Sequence, residues 1–498
     1  MSATAPKPPP SPRTSPPPWT SSPPGTSSPP PAAPPPEPAF ALTPGQREWC
    51  ARLRTLGAER LRPLAESGEP GRVNRPLLRA LGKLGLLARA VPDPHPDRPD
   101  PHPDRLDRPD PHPDRSRRPD EQGRPRRPDD HNDPDRPVRT GAPDGTDRRT
   151  RPAPRTSALE LCLLRESLAY SCPEAETALA LQGLGAGPVA DAGTERQRAR
   201  WLPEAAAGRA VAAFALSEPG AGSDAAALAL RAEPEAGGGA RRWRLTGTKT
   251  WISNAPWADF YTVFARTGPD PGPRGVTAFL VPADRPGLSG EPLDMLAPHA
   301  LGTLTFDGVP VTGDDLLGEP GHGFGVAMRT LNLFRPSVGA FAVGMAQAAL
   351  DASLAHAAER PAFGGVLRDL QSVSHQLAEM ATRTEAARLL VYAAACAYDG
   401  SGGTGRDLPR RAAMAKLLAT ETAQYVVDAA VQIHGAAALR RGHLLEHLYR
   451  EVRAPRIYEG ASEVQRSLIA RELFKQLHEE RAAVRTPPPP STKGSSTA

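Results

Sequence analysis

Apolar residues in this 498-residue chain fall into two blocks with helical spacing, separated by a block with a period near two. Trp49, Leu53, Leu56 and Leu61 share one face of a predicted helix. Thr43 stands where its cap belongs, with Pro44 just inside. A second helix is expected over Leu77 to Leu87, and helical spacing resumes at Ala158–Leu164. It continues over Glu174–Leu184 and around Gln197–Leu202. At Val211 the period changes. Trp243–Leu245, Lys249–Ile252, Phe260–Ala265, Val276–Val281 and Thr303–Phe306 are short β-type runs punctuated by Gly and Pro, as in a small β domain. From Gly323 to about Leu477 the spacing is helical again, with one Gly-rich break at 400–405. The expected fold is therefore α+β and mostly α. It comprises an N-terminal helical domain (41–212), a central β domain (213–322) and a C-terminal four-helix bundle (323–480).

Composition removes three segments from this core. The chain has 61 prolines and 45 glycines, more than a fifth of its residues and well above ordinary usage. Residues 1–40 are almost entirely Pro, Ser and Ala, and 481–498 form a second polar end. Residues 93–155 interrupt the first domain with Pro-His-Pro-Asp-Arg at 94–98, 101–105 and 111–115. With few apolar residues to bury, all three are expected to be disordered. His-rich tracts can bind metal, but the reading of this one is a charged, proline-broken insert, and no metal site is expected. The net charge of +5 comes with no aromatic-studded basic stripe, which argues against nucleic acid as a partner. Four scattered cysteines (Cys50, Cys162, Cys172, Cys396) lack metal-ligand spacing and suit reduced thiols. No charged start followed by an apolar leader, and no apolar run of spanning length, is evident in the sequence. The expectation is a cytoplasmic protein with no membrane partner.

Three runs carry candidate chemistry. Arg456 to Arg466 places Glu459 beside Gly460 at the mouth of an amphipathic helix. A carboxylate on a tight turn can be aimed into a cleft and partly desolvated, which suits it to take a weakly acidic carbon-bound proton. The bland alternative is a carboxylate near a helix N-terminus, worth about 0.3–1 kcal/mol through the helix dipole. Ala213 to Asp224 contains Gly220 and Gly222 among small residues, with the hydroxyls of Ser217 and Ser223. No βαβ pattern surrounds it, so it is not a Rossmann fingerprint; it is either a backbone that approaches a bulky ligand or a plain Gly-rich turn. Leu245 to Ala255 carries Trp251 and Ser253 in a Thr-rich strand. There the indole either faces a planar ring or sits in a hairpin core.

In this order and spacing the three runs resemble the acyl-CoA dehydrogenase family. So do Gly323-Phe324 to Arg335-Pro336, Arg360 to Gly364 and Val431 to Gly435. The similarity covers about 43–92 and 156–476. It implies an FAD-dependent enzyme, typically a homotetramer, that removes the α and β hydrogens of an acyl-CoA thioester. A carboxylate takes the α-proton, the β-hydrogen leaves as hydride to flavin N5, and electrons pass to an electron-transfer flavoprotein. By resemblance Phe214, Leu216 and Ser217 line the isoalloxazine, Trp251 covers its face and Ser253 binds its polar edge. Arg360, Phe363 and Gln432 reach FAD across a subunit interface, and Gly435 also belongs to the cofactor-binding set. Ser223, Arg335, Tyr458 and Gly460 belong to the substrate side. Glu459 corresponds to the base. Some members carry it instead one residue before an arginine on the bundle's first helix, where this chain has Phe334. Two other classes share these motifs: an oxidase or a desaturase of carrier-protein-bound acyl chains, and a scaffold of the same fold without flavin.

The chain departs from the family at several positions. Ala436, Ala437 and Ala438 follow Gly435 where further glycines are usual, Ala461 replaces a flavin-bonding threonine, and Ala297-Pro298 replaces Arg-Gly. Each lost contact is worth about 1 kcal/mol of cofactor binding. His434 reads as a core histidine, His299 as a loop histidine, and Met328 and Met345 as core.

Overall fold

The computed structural model describes residues 42–91, 156–235, 241–270 and 272–485. The segments expected to be disordered, 1–40 and 93–155, lie outside them, as does the end of the chain past 485. Helices α1 (Pro44–Leu56), α2 (Arg62–Glu66), α3 (Arg75–Lys83) and α4 (Leu87–Ala90) precede the insert; α5 (Ala158–Ser171), α6 (Pro173–Ala192) and α7 (Glu195–Ala206) follow it. Thr43 caps α1 with a full capping box, its hydroxyl accepting from the Gln46 N–H. The helix expected over Leu77–Leu87 is broken in two, because Gly85 takes a left-handed φ of +72° between the end of α3 and the start of α4.

The strands are β1 (Ala212–Ala215), β2 (Arg231–Pro234), β3 (Arg242–Ser253), β4 (Phe260–Arg266), β5 (Val276–Pro282), β6 (Leu288–Pro292) and β7 (Leu301–Thr312). They form one sheet in the order β1-β4-β2-β3-β7-β6, with β5 on β4; β1 runs parallel to β4. Two expected runs fuse into β3, since Gly247 (φ +140°) adds an irregularity to the register without ending the strand. β2 and β6 are mostly exposed, which leaves them without an apolar alternation to read.

The C-terminal region contains α8 (Gly323–Glu359), the hairpin β8 (Pro361–Ala362) and β9 (Gly365–Val366), α9 (Gln371–Gly400), α10 (Leu408–His434), α11 (Leu444–Glu451) and α12 (Ser462–Arg485). α8 is the central member. Its buried residues join α5, α9 and α10 in one core, while Phe334 joins the core shared by the N-terminal helices and the sheet. Contrary to the sequence expectation, α8 is long and apolar enough to cross a membrane. However, 72% of its most apolar window is buried against the other elements. Its approach to α5 is very close: a Cβ on Gly344 would lie 2.3 Å from the Glu166 carbonyl oxygen. Gly344→Val is therefore expected to push α5 and α8 apart and to cost about 1–3 kcal/mol. Denaturant unfolding checks this, and an unchanged midpoint would contradict the packing.

Candidate active site

The turn after α11 sets Glu459 in place. Glu459 (φ +53°) and Gly460 (φ +97°) both adopt left-handed backbone, strained for a glutamate and suited to a glycine. Space also requires the glycine, since a Cβ there would meet Gln465 Nε2 at 2.2 Å. Three donors fix the two carbonyls. Arg335 Nε donates to the Glu459 carbonyl at 3.2 Å, and Lys416 Nζ to the Gly460 carbonyl at 2.7 Å. Gln465 Nε2 reaches both, at 3.2 and 3.0 Å. Below the turn Glu421 accepts from Arg456 and from the Ser462 hydroxyl, tying α10 to the start of α12. The backbone is thus held while the Glu459 side chain is left free.

The carboxylate itself is buried without a hydrogen-bond partner for one of its oxygens. Glu459 keeps some accessible surface as a residue, yet its Oε2 is sealed from solvent and has no hydrogen-bond partner. It does not act as a cap for α12. Burial pushes the Glu459 carboxyl above the ordinary carboxylate value, opposed by the positive charges of Arg165, Arg335 and Lys416. Arg165, buried on α5, is paired with Glu176 and donates to Ser337 Oγ at 2.6 Å. Phe334, at the alternative base position, is 1% exposed in the core.

The expected flavin-lining residues come together on the sheet. Thr250 N–H donates to the Ser217 carbonyl at 3.0 Å, which joins the exit of β1 to β3. Lys249 Nζ, fully buried, donates to the Leu216 carbonyl at 2.9 Å and to Glu218 at 2.7 Å. Glu218 in turn accepts from the Ala229 and Leu230 N–H groups. Burial pushes the Lys249 ammonium down to about 8 despite that partner. Phe214 is half-buried against Phe264. Trp251 sits at a β-bulge with φ +59° and is 56% exposed. A large aromatic held in strained backbone with its face open, beside Ser217 and Ser253, fits a planar polycyclic ring such as the isoalloxazine of FAD.

Arg360, Phe363, Gln432 and Gly435 form a second group. His356 stacks on His434 with centroids 4.2 Å apart, so the ends of α8 and α10 meet. Phe363 is 92% exposed at the hairpin tip with φ +50°. A Cβ on Gly435 would touch nothing within 4 Å, so backbone there is open to a ligand. From Arg335 to the end of α8 is about 36 Å at helical rise, so this group is far from the Glu459 turn of the same chain.

Of the remaining candidates, Ser223 is exposed on the loop after β1, Tyr458 is 39% exposed, and Arg335 is taken up by the turn and by Asn332. Met345 is core, and Met328 is partly buried against a separate core formed by α6, α7 and the sheet. His434 Nδ1 faces the Ala430 carbonyl at 2.9 Å, an ordinary intrahelical contact. His299 is more than a loop histidine: its Nε2 lies 2.6 Å from buried Glu451, and that carboxylate raises its basicity against the desolvation of the ring. Lys416, Arg165 and Lys249 were not singled out from the sequence. Lys249 stands inside a run that was read for its tryptophan, while Lys416 and Arg165 occupy helical stretches where charge normally faces water.

The chain matches the acyl-CoA dehydrogenase N-terminal domain over 154–209, the middle domain over 213–309 and the C-terminal domain over 321–474. The mitochondrial short-chain specific acyl-CoA dehydrogenase of Bos taurus is 41% identical over 292 residues, 58% of this chain and 69% of its own length. The cyclohexane-1-carbonyl-CoA dehydrogenase of Geobacter metallireducens is 35% identical over 319 residues, 64% and 82% respectively. Among solved structures, butyryl-CoA dehydrogenase of Megasphaera elsdenii is similar with a TM-score of 0.69 and 28% identity, over 87% of this chain and 99% of that one.

The Lys249–Glu218 pair anchors the segment that follows β1. Lys249→Met leaves a buried carboxylate without its cation and is expected to cost about 3–5 kcal/mol. Lys249→Met combined with Glu218→Leu should recover part of that loss in denaturant unfolding. A single variant as stable as wild type would contradict the pair's role.

Proposed function

The chain belongs to the acyl-CoA dehydrogenase family of FAD-dependent oxidoreductases, and we propose that it dehydrogenates an acyl-CoA thioester between its α and β carbons with Glu459 as the base. The observation that carries the reading is the sealed, unpartnered Oε2 of Glu459, on a turn whose backbone is pinned by three donors. The α-proton of the thioester passes to that oxygen, and the proton then resides on the Glu459 carboxyl. Desolvation makes the carboxylate a stronger base than one in water, and the surrounding cations keep it from being protonated before substrate arrives. The acceptor for the β-hydrogen, which leaves as hydride, is supplied by FAD when bound. Phe214, Leu216, Ser217, Trp251 and Ser253 would hold its ring, with Ser223, Tyr458 and Gly460 on the substrate side. Arg335 acts through the turn.

The distance between the Glu459 turn and the Arg360–Phe363–Gln432–Gly435 group supports a homotetramer in which that group serves the flavin of a neighbouring copy. An electron-transfer flavoprotein is the proposed electron acceptor, and the cytoplasm the proposed location. The acyl group is the open variable, so the test uses a panel from short straight-chain to cyclic acyl-CoAs. Mixed anaerobically with purified protein, at least one is expected to bleach the flavin of wild type. None should bleach that of Glu459→Gln with its FAD retained. Equal bleaching in that variant would refute the base assignment.

A further inference from the structure

Lys416 is a buried titratable group that the mechanism does not use. It lies within α10 with no exposed surface, and its ammonium donates to the Gly460 carbonyl at 2.7 Å. Among the described residues it has no carboxylate within ion-pair distance. A buried ammonium without a counter-ion is costly, and an apolar side chain would fill a helix core at less expense. The charges around it are Glu459 on the turn, Arg335 on α8, Glu421 on its own helix and Glu463 on α12, with none from α9 among the described residues. Glu421 is taken up by Arg456 and Ser462, and Glu463 is mostly exposed beside Arg466. Glu459 in turn faces Arg165 from α5 and Arg335 as well as Lys416. Arg165 is neutralised by Glu176 from α6. Glu459 is therefore the buried carboxylate that Lys416 is left to serve.

We propose that Lys416 is a positioning residue for the reaction: its ammonium fixes the Gly460 carbonyl of the turn and supplies a positive charge against which the buried Glu459 carboxylate works. The inference rests on Glu459 being the base. Of the two unpaired cations on the turn, Arg335 stays charged at any working pH. Lys416 is pushed by burial down to about 8, so it loses its charge at a lower pH than an ordinary lysine. When it does, Glu459 binds its proton more tightly and the turn loses a charged donor.

Infrared titration of the Glu459 carboxyl, assigned by difference against Glu459→Gln in the FAD-loaded protein, tests this. Lys416→Gln retains a donor without the charge, and Lys416→Met loses both. Each is expected to raise the Glu459 titration midpoint by about one pH unit, the size of effect expected for one nearby charge. The acid limb of kcat/KM should move with it. In wild type the Glu459 carboxylate band should shift again near pH 8 as Lys416 deprotonates, a readout that needs no Lys416 variant to fold. An unmoved midpoint in Lys416→Gln, or no wild-type shift near pH 8, would overturn the proposal and leave the base assignment standing. Full turnover in Glu459→Gln would instead remove the base assignment.

Discussion

Holding a carboxylate out of water is expensive, and the arrangement at the centre of this protein follows from that constraint. A lone buried carboxylate would take up a proton and lose its use as a base. Here three cations approach Glu459 from three helices, α5, α8 and α10. None is a salt-bridge partner that would occupy its Oε2. The support reaches it partly through the backbone: Arg335 and Lys416 bond the carbonyls of the turn and leave the side chain unengaged. Strain at the left-handed Glu459 is offset by those bonds, as expected where a side chain must be aimed.

The helices can converge because they pack closely. Gly344 lets α8 meet the α5 backbone, and Gly339 meets Val391 of α9, where a Cβ would lie 2.7 Å from its Cγ2. Residues Arg335 on α8 and Lys416 on α10 are thereby brought to one point from segments 81 positions apart in number (416 − 335). The sheet solves the matching problem on the flavin side. Lys249 and Glu218 lock the backbone at Leu216 and Ser217, so the residues proposed to face a ring are carried on a buried ion pair.

Much of this was legible in the sequence. Thr43-Pro44 marked a helix start and the change of period at Val211 marked the entry into β1, because capping and alternation are local. Glu459-Gly460, Trp251 and Ser217 stood out because turn glycines and an aromatic in a polar strand are unusual side by side. What could not be read was long-range. β2 and β6 expose most of their residues and exist through their partners. Lys416 and Arg165 look like solvent-facing charges until the helices are packed, and His299 looked like loop filler until Glu451 was placed beside it. The separation of Phe363 from the Glu459 turn also needed the length of α8.

The proposed role of Glu459 is to take the α-proton. The most direct measurement is exchange of deuterium from D2O into the α carbon of an acyl-CoA incubated with the FAD-loaded protein, followed by mass spectrometry. The account predicts exchange with wild type and background exchange with Glu459→Gln that still binds FAD and ligand. Exchange at the wild-type rate in that variant would contradict it.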